Sequence, residues 1–194
     1  MLKPTLIALV AFALVTFALV NQAIAEPATA EFKTEAASLA KRFAQTLKPQ
    51  LQQALAEGGP VAAIEVCSHK APEIARQLSV ESGWQVKRVS LKPRNPAAEP
   101  EAWQRQVLLS FDTRAAAGED PQTLSQVAQT ESQLRFMKAQ GVAPLCLTCH
   151  GSQLAPEVKT ALDKYYPNDS ARGYQPGQIR GAISIVAPRL SAQN

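Results

Sequence analysis

The sequence predicts an α+β protein, and two observations carry that prediction. In the first part of the mature chain, apolar residues recur at spacings of three and four, the period of a helix. Further on, residues 84–91, 133–138 and 179–186 alternate apolar with polar, the period of a strand. Helices at the front with three strands spread through the rest exclude an all-helical bundle.

Residues 1–25 have the form of a secretory signal. Lys3 opens it, Leu6 to Val20 is apolar except for Thr16, and Ala23-Ile24-Ala25 offers a small-x-small cleavage site before Glu26. The apolar run is shorter than the ~20 residues that a spanning helix needs. The expectation is cleavage, a periplasmic chain with no remaining membrane anchor, and one domain over residues 26–194. Twenty basic and sixteen acidic residues are scattered to a net charge of +4, without a basic block. That pattern argues against a nucleic-acid partner.

The first helix covers Phe32 to Leu55 through Phe32, Ala36, Leu39, Phe43, Leu47, Leu51 and Leu55. Pro49 should kink or split it, and Gly58-Gly59-Pro60 should end it. Over residues 61–80, Ile64, Cys67, Ala71, Ile74 and Leu78 form one stripe, and Glu65, His69, Glu73 and Arg76 another. Pro72 leaves open whether this is one helix or two. Two residues apart on a helix is about 200° around it, so Cys67 points inward and His69 outward.

Trp84 to Leu91 reads as a strand, with Trp84, Val86 and Arg88 opposing Gln85, Lys87 and Val89. Lys92-Pro93-Arg94-Asn95-Pro96 is a loop holding two cations. Pro100 to Phe111 is a helix with Trp103, Val107, Leu108 and Phe111 on its apolar face. Gly118 to Pro121 is a turn, and residues 123–130 fit no single period. Gln133 to Lys138 reads as a strand with Leu134 and Phe136 inward and Arg135 and Met137 on its polar side. Pro156 to Tyr165 is a short helix, residues 166–177 form a turn-rich loop, and Ile179 to Val186 is the last strand.

Between these elements lies Cys146-Leu147-Thr148-Cys149-His150-Gly151. C-x-x-C-H is the attachment sequence of a c-type haem. Two thiols one turn apart form thioethers to the porphyrin, and the adjacent histidine supplies a neutral nitrogen to the iron. A dithiol redox motif or half a zinc site would use the same two cysteines. The histidine in fifth place, in an exported chain with three cysteines and two histidines, favours one covalent haem c. Three side chains qualify as the second axial ligand: Met137, His69 and Cys67; an open position is the fourth alternative. Methionine suits an electron carrier of raised potential, and a thiolate lowers the potential. Cys67 lies on the inward stripe, and the pattern by itself leaves it and an open position both standing.

Four stretches resemble a family of exported c-type haem proteins with a PAS-like fold, long catalogued as a domain of unknown function. They are Ala63-Ile64-Glu65-Val66-Cys67-Ser68, Ser90 through Pro96, Cys146 through Gly151, and Gly173-Tyr174 through Gly177 to Ile179-Arg180-Gly181-Ala182. The resemblance implies a central antiparallel sheet flanked by helices, and His150 with Cys67 as the axial pair. One departure is Ala98, where that family often carries asparagine. Arg88, Lys92 and Arg94 are the candidate partners of the haem propionates. A thiolate whose protonation and metal bond both respond to redox state suits a switch. The reading is a periplasmic redox or small-gas sensor domain, responding to a diatomic gas or a redox change and passing its signal to a separate partner. The alternative is a soluble electron-transfer cytochrome c. An enzyme is disfavoured, because no distal histidine with a nearby arginine stands out.

Overall fold

The computed structural model describes residues 5–189, with side chains described over 29–189. Two compact units divide it, Met1–Glu35 and Ala36–Asn194. In the first, the described backbone is helical. The expected signal peptide, 1–25, lies outside the residues whose side chains are described. Among the described residues, no helix is long and apolar enough to cross a membrane.

Helix α1 (Thr5–Ser82) is broken once, at Gly59, where φ is 67° and ψ −164°. Essentially only glycine occupies that backbone region, and Pro60 then suits the first turn of the next segment. Arg42 Nη2 lies 2.5 Å from Glu81 Oε2 although 39 residues separate them. An unbroken helix would hold them ~58 Å apart, so α1 doubles back as a hairpin. The helix runs through Pro49, contrary to the sequence expectation, and through Pro72, where the sequence left one helix or two open. Pro49, Pro72 and Gln45, whose carbonyl loses its helical partner to Pro49, are all exposed, so water can satisfy the freed group. The buried stripe of the hairpin includes Leu39, Phe43, Ile64, Ile74 and Leu78.

The sheet contains β1 (Gln85–Val89), β2 (Ser125–Gln129), β3 (Gln133–Gly141) and β4 (Ile179–Pro188), in the order β1-β4-β3-β2. All neighbours are antiparallel. β2 occupies the stretch that fits no single period: none of its five residues is buried, so no alternation shows. Helix α2 (Ala102–Ala116) covers one face, packing Leu108 and Phe111 against Val89, Met137, Ala139 and Ala182. Gln104 of α2 donates to Ser184 Oγ at 2.9 Å, which satisfies both buried polar groups. The other face presents Val86, Phe136, Ile183 and Ile185, all buried. Ser79 Oγ of α1 accepts from the Val86 N–H at 2.9 Å and ties the hairpin to β1.

The result is α+β and PAS-like, with a four-stranded antiparallel sheet flanked by helices. It corrects one placement. Met137 is fully buried in the α2 core, and Arg135 beside it stacks on Trp103, 4.9 Å from the ring centroid. Met137→Ala is therefore expected to lower stability by about 2–5 kcal/mol, measured by chemical denaturation.

Candidate functional site

Val142 leaves β3 for a loop that becomes a 3₁₀ turn over Pro144–Cys146 and the single-turn helix α3 (Leu147–His150). Cys146 and Cys149 are three residues apart in this turn, so their thiols share a face. Gly151 ends it: a Cβ there would lie 2.7 Å from the Leu147 carbonyl oxygen. Two bonds hold the turn, from the Gly173 N–H to Gly151 O at 3.0 Å and from the Tyr174 N–H to His150 O at 2.9 Å. His150 Nδ1 lies 2.8 Å from the Ala171 carbonyl oxygen. A carbonyl only accepts, so Nδ1 carries the proton and Nε2 keeps its lone pair. Burial, reinforced by the Arg94 cation, pulls the His150 pKa down to about 3. The ring is a neutral nitrogen donor anchored from behind, as a metal-binding imidazole requires.

The anchor is itself braced. Asp169, with no exposed side-chain surface, accepts from Arg94 Nε at 3.0 Å, Arg172 Nε at 2.8 Å and the Ala171 N–H at 2.9 Å. Arg94 also donates to the carbonyls of Cys149 and, at 3.2 Å, Ala171. Burial pushes the Asp169 carboxyl up, but the bonds from Arg172 and Arg94 outweigh it and hold the group below its usual range. Arg94 is thus a brace of the histidine loop.

One cavity of about 530 Å³ in the second unit is bounded by the α1 hairpin, β1, the start of β4 and the α3 turn. That volume lies within the ~300–1,000 Å³ of small-molecule sites. Cys67, Cys146, Cys149 and His150 all line it. Cys67 lies one turn after Ile64, which packs on Leu154, Val158 and Leu162 at helix α4 (Pro156–Tyr165). Burial holds the Cys67 thiol above its ordinary value, against a smaller opposing pull from Arg88 and Arg94. His69 is exposed and outside the lining, and Met137 lies in the core against α2. Of the three eligible axial side chains, only Cys67 shares the cavity with His150.

The three cations grouped by the sequence part company. Arg88 lines the cavity, and its side chain makes no ion pair or hydrogen bond among the described residues. Arg94 lines it already neutralised by Asp169. Lys92 lies outside the lining: its Nζ donates to the Arg172 carbonyl and sits 4.6 Å from the Tyr174 ring centroid. The structure adds Arg180, at the start of β4, as a further lining arginine whose side chain makes no hydrogen bond or ion pair among the described residues.

A family model, Tll0287-like, matches residues 20–188. The chain belongs to the Tll0287-like family. Its fold is similar to the crystal structure of the cyanobacterial heme-protein Tll0287, with a TM-score of 0.55 and 24% identity, over 76% of this chain and 94% of that one. No curated protein matches the sequence.

In this Tll0287-like chain, sequence reasoning missed Asp169, Arg180 and Tyr166. Asp169 and Tyr166 fall in the turn-rich loop, where no period marks which side chain turns inward. Arg180 is visible within Ile179-Arg180-Gly181-Ala182, but alternation there says only that it opposes Ile179 and Gly181. Tyr166 lines the cavity, with its ring 5.8 Å from the Arg94 guanidinium carbon, and burial pushes its phenol up to about 12.

Proposed function

We propose that this chain is a periplasmic protein binding one covalent haem c, with a redox-responsive or gas-responsive role. The observation that carries the reading is the gathering of all three cysteines and His150 around one cavity. The fold likeness to a heme-protein supports it. The residues fit the group. Cys146 and Cys149 would form the thioethers, and His150 Nε2 and Cys67 would be the axial donors. Arg88 and Arg180 would meet the carboxylates, since both guanidiniums lack a protein partner at the cavity wall among the described residues. Bound haem would supply reversible one-electron chemistry and an iron whose ligands can exchange.

The protein's own part is asymmetric. His150 is held by Ala171, with Arg94 and Asp169 bracing the carbonyl that holds it. Cys67 sits on a helix, and its free thiol has no hydrogen-bond partner among the described residues. With haem bound, a braced histidine and a cysteine held only by its helix would suit a switch better than a carrier.

The test is a set of optical and electron-spin-resonance spectra of wild type and Cys67→Ala, oxidised and reduced, with and without carbon monoxide. The expected result is a six-coordinate thiolate signature in oxidised wild type that vanishes in the variant, with haem still attached. Unchanged spectra would remove Cys67 as a ligand. Failure of reduced wild type to bind carbon monoxide would favour electron transfer through a closed site.

A further inference from the structure

The cavity wall is electrically one-sided. Lys48, Arg76, Lys87, Arg88, Arg94 and Arg180 line it, and no aspartate or glutamate does among the described residues. Glu101 neutralises Lys87 at 3.0 Å and Asp169 neutralises Arg94. Arg88 and Arg180 are only partly exposed and, on the haem reading, answer to two cofactor carboxylates. Lys48 and Arg76 remain. Both are exposed, and neither side chain makes a hydrogen bond or a close ion pair among the described residues. Glu73, one turn before Arg76, is engaged by Lys70 at 2.8 Å.

The hairpin brings these two cations together. Arg42 meets Glu81 across it; Lys48 lies six residues after the first and Arg76 five before the second, so they stand at nearly the same level. Leu145, immediately before Cys146, lines the same cavity and is 45% exposed. Residues that are both exposed and lining mark a mouth. Here it is an apolar side chain beside the attachment cysteine, with two exposed cations, of which Arg76 also feels the Glu73 carboxylate that Lys70 engages.

We propose that this mouth is the docking surface for an acidic redox protein. The proposal rests on the haem reading, which puts a redox group just inside. A weak electron-transfer encounter needs little buried area, and complementary charge supplies its orientation and on-rate. A lipid surface calls for clusters of about 4–8 cations, and this mouth exposes two. A small anion would be held by the partly exposed Arg88 and Arg180 instead.

The test uses the full holoprotein, with haem content established first by the haemochrome spectrum. Electron exchange with an acidic two-iron ferredoxin is followed by stopped flow, and association by surface plasmon resonance, across ionic strength. Wild type should slow with salt. Lys48→Glu/Arg76→Glu should slow exchange at low salt by about ten-fold or more, while Lys159→Glu, exposed on α4 and outside the lining, matches wild type. A double variant as fast as wild type overturns the proposal. So does an effect confined to ferricyanide, which would mark a small-anion site, or to phosphatidylserine vesicles, which would mark a membrane surface. A missing haemochrome counts against the haem reading alone, and salt-sensitive ferredoxin capture lost in the double variant still supports docking.

Discussion

Asp169→Asn is expected to destabilise the protein by about 3–5 kcal/mol, the range for removing one partner of a buried charge network. The carboxylate is fully buried and answers two guanidiniums and a backbone N–H. Asparagine keeps the shape but leaves Arg94, 11% exposed, without its counter-charge. The loss reaches the site, because Arg94 also bonds the carbonyls of Cys149 and Ala171. The pH dependence has a definite sign. A carboxyl held below its ordinary value, about 3.9, contributes stability that is present above that value and disappears as pH falls through the folded-state value. Wild type should therefore show an acid-side decline below about pH 4 that the variant lacks, and the two stabilities should converge as pH falls. Urea unfolding across the acid range up to neutrality checks both the magnitude and the convergence.

Gly181→Ala is expected to cost about 3 kcal/mol, the upper part of the range for overpacking, lowering the unfolding midpoint by roughly 6–12 °C. The added Cβ would run into the Val89 carbonyl oxygen and lie 3.2 Å from Ser90 Cβ. Since the first contact is backbone, β1 and β4 must separate at the end of their pairing, where Val89 meets Ala182. The bond from Ser90 Oγ to Arg180 O at 2.6 Å crosses the same point. Arg88 and Arg180 stand on these two strands, so a variant that still folds should also hold its cofactor less tightly. Differential scanning calorimetry with a haem-to-protein ratio separates the two effects.

Much of the fold is legible in the sequence because its rules are local. Spacings of three and four mark both arms of the hairpin, and Gly58-Gly59-Pro60 marks its turn. The same stripe turns Cys67 inward and His69 outward, as the structure has them. Alternation misplaces Met137 because it presumes one solvent face, whereas β3 and β4 are covered on both. The helix continues through Pro49 where both Pro49 and Gln45 are exposed, so water can take the freed carbonyl and part of the cost of the proline is offset.

The attachment motif, the helical face of Cys67 and the class of the fold can all be read from the chain alone. Each depends on residues within a few positions of one another, where covalent geometry decides which side chains share a face. Which cations remain available to a ligand cannot be read that way. Arg88, Lys92 and Arg94 are near neighbours in the chain, yet Asp169, 75 residues from Arg94, neutralises one, and Arg172 and Tyr174 draw another away. Whether a charge is already answered depends on partners that only folding brings within reach.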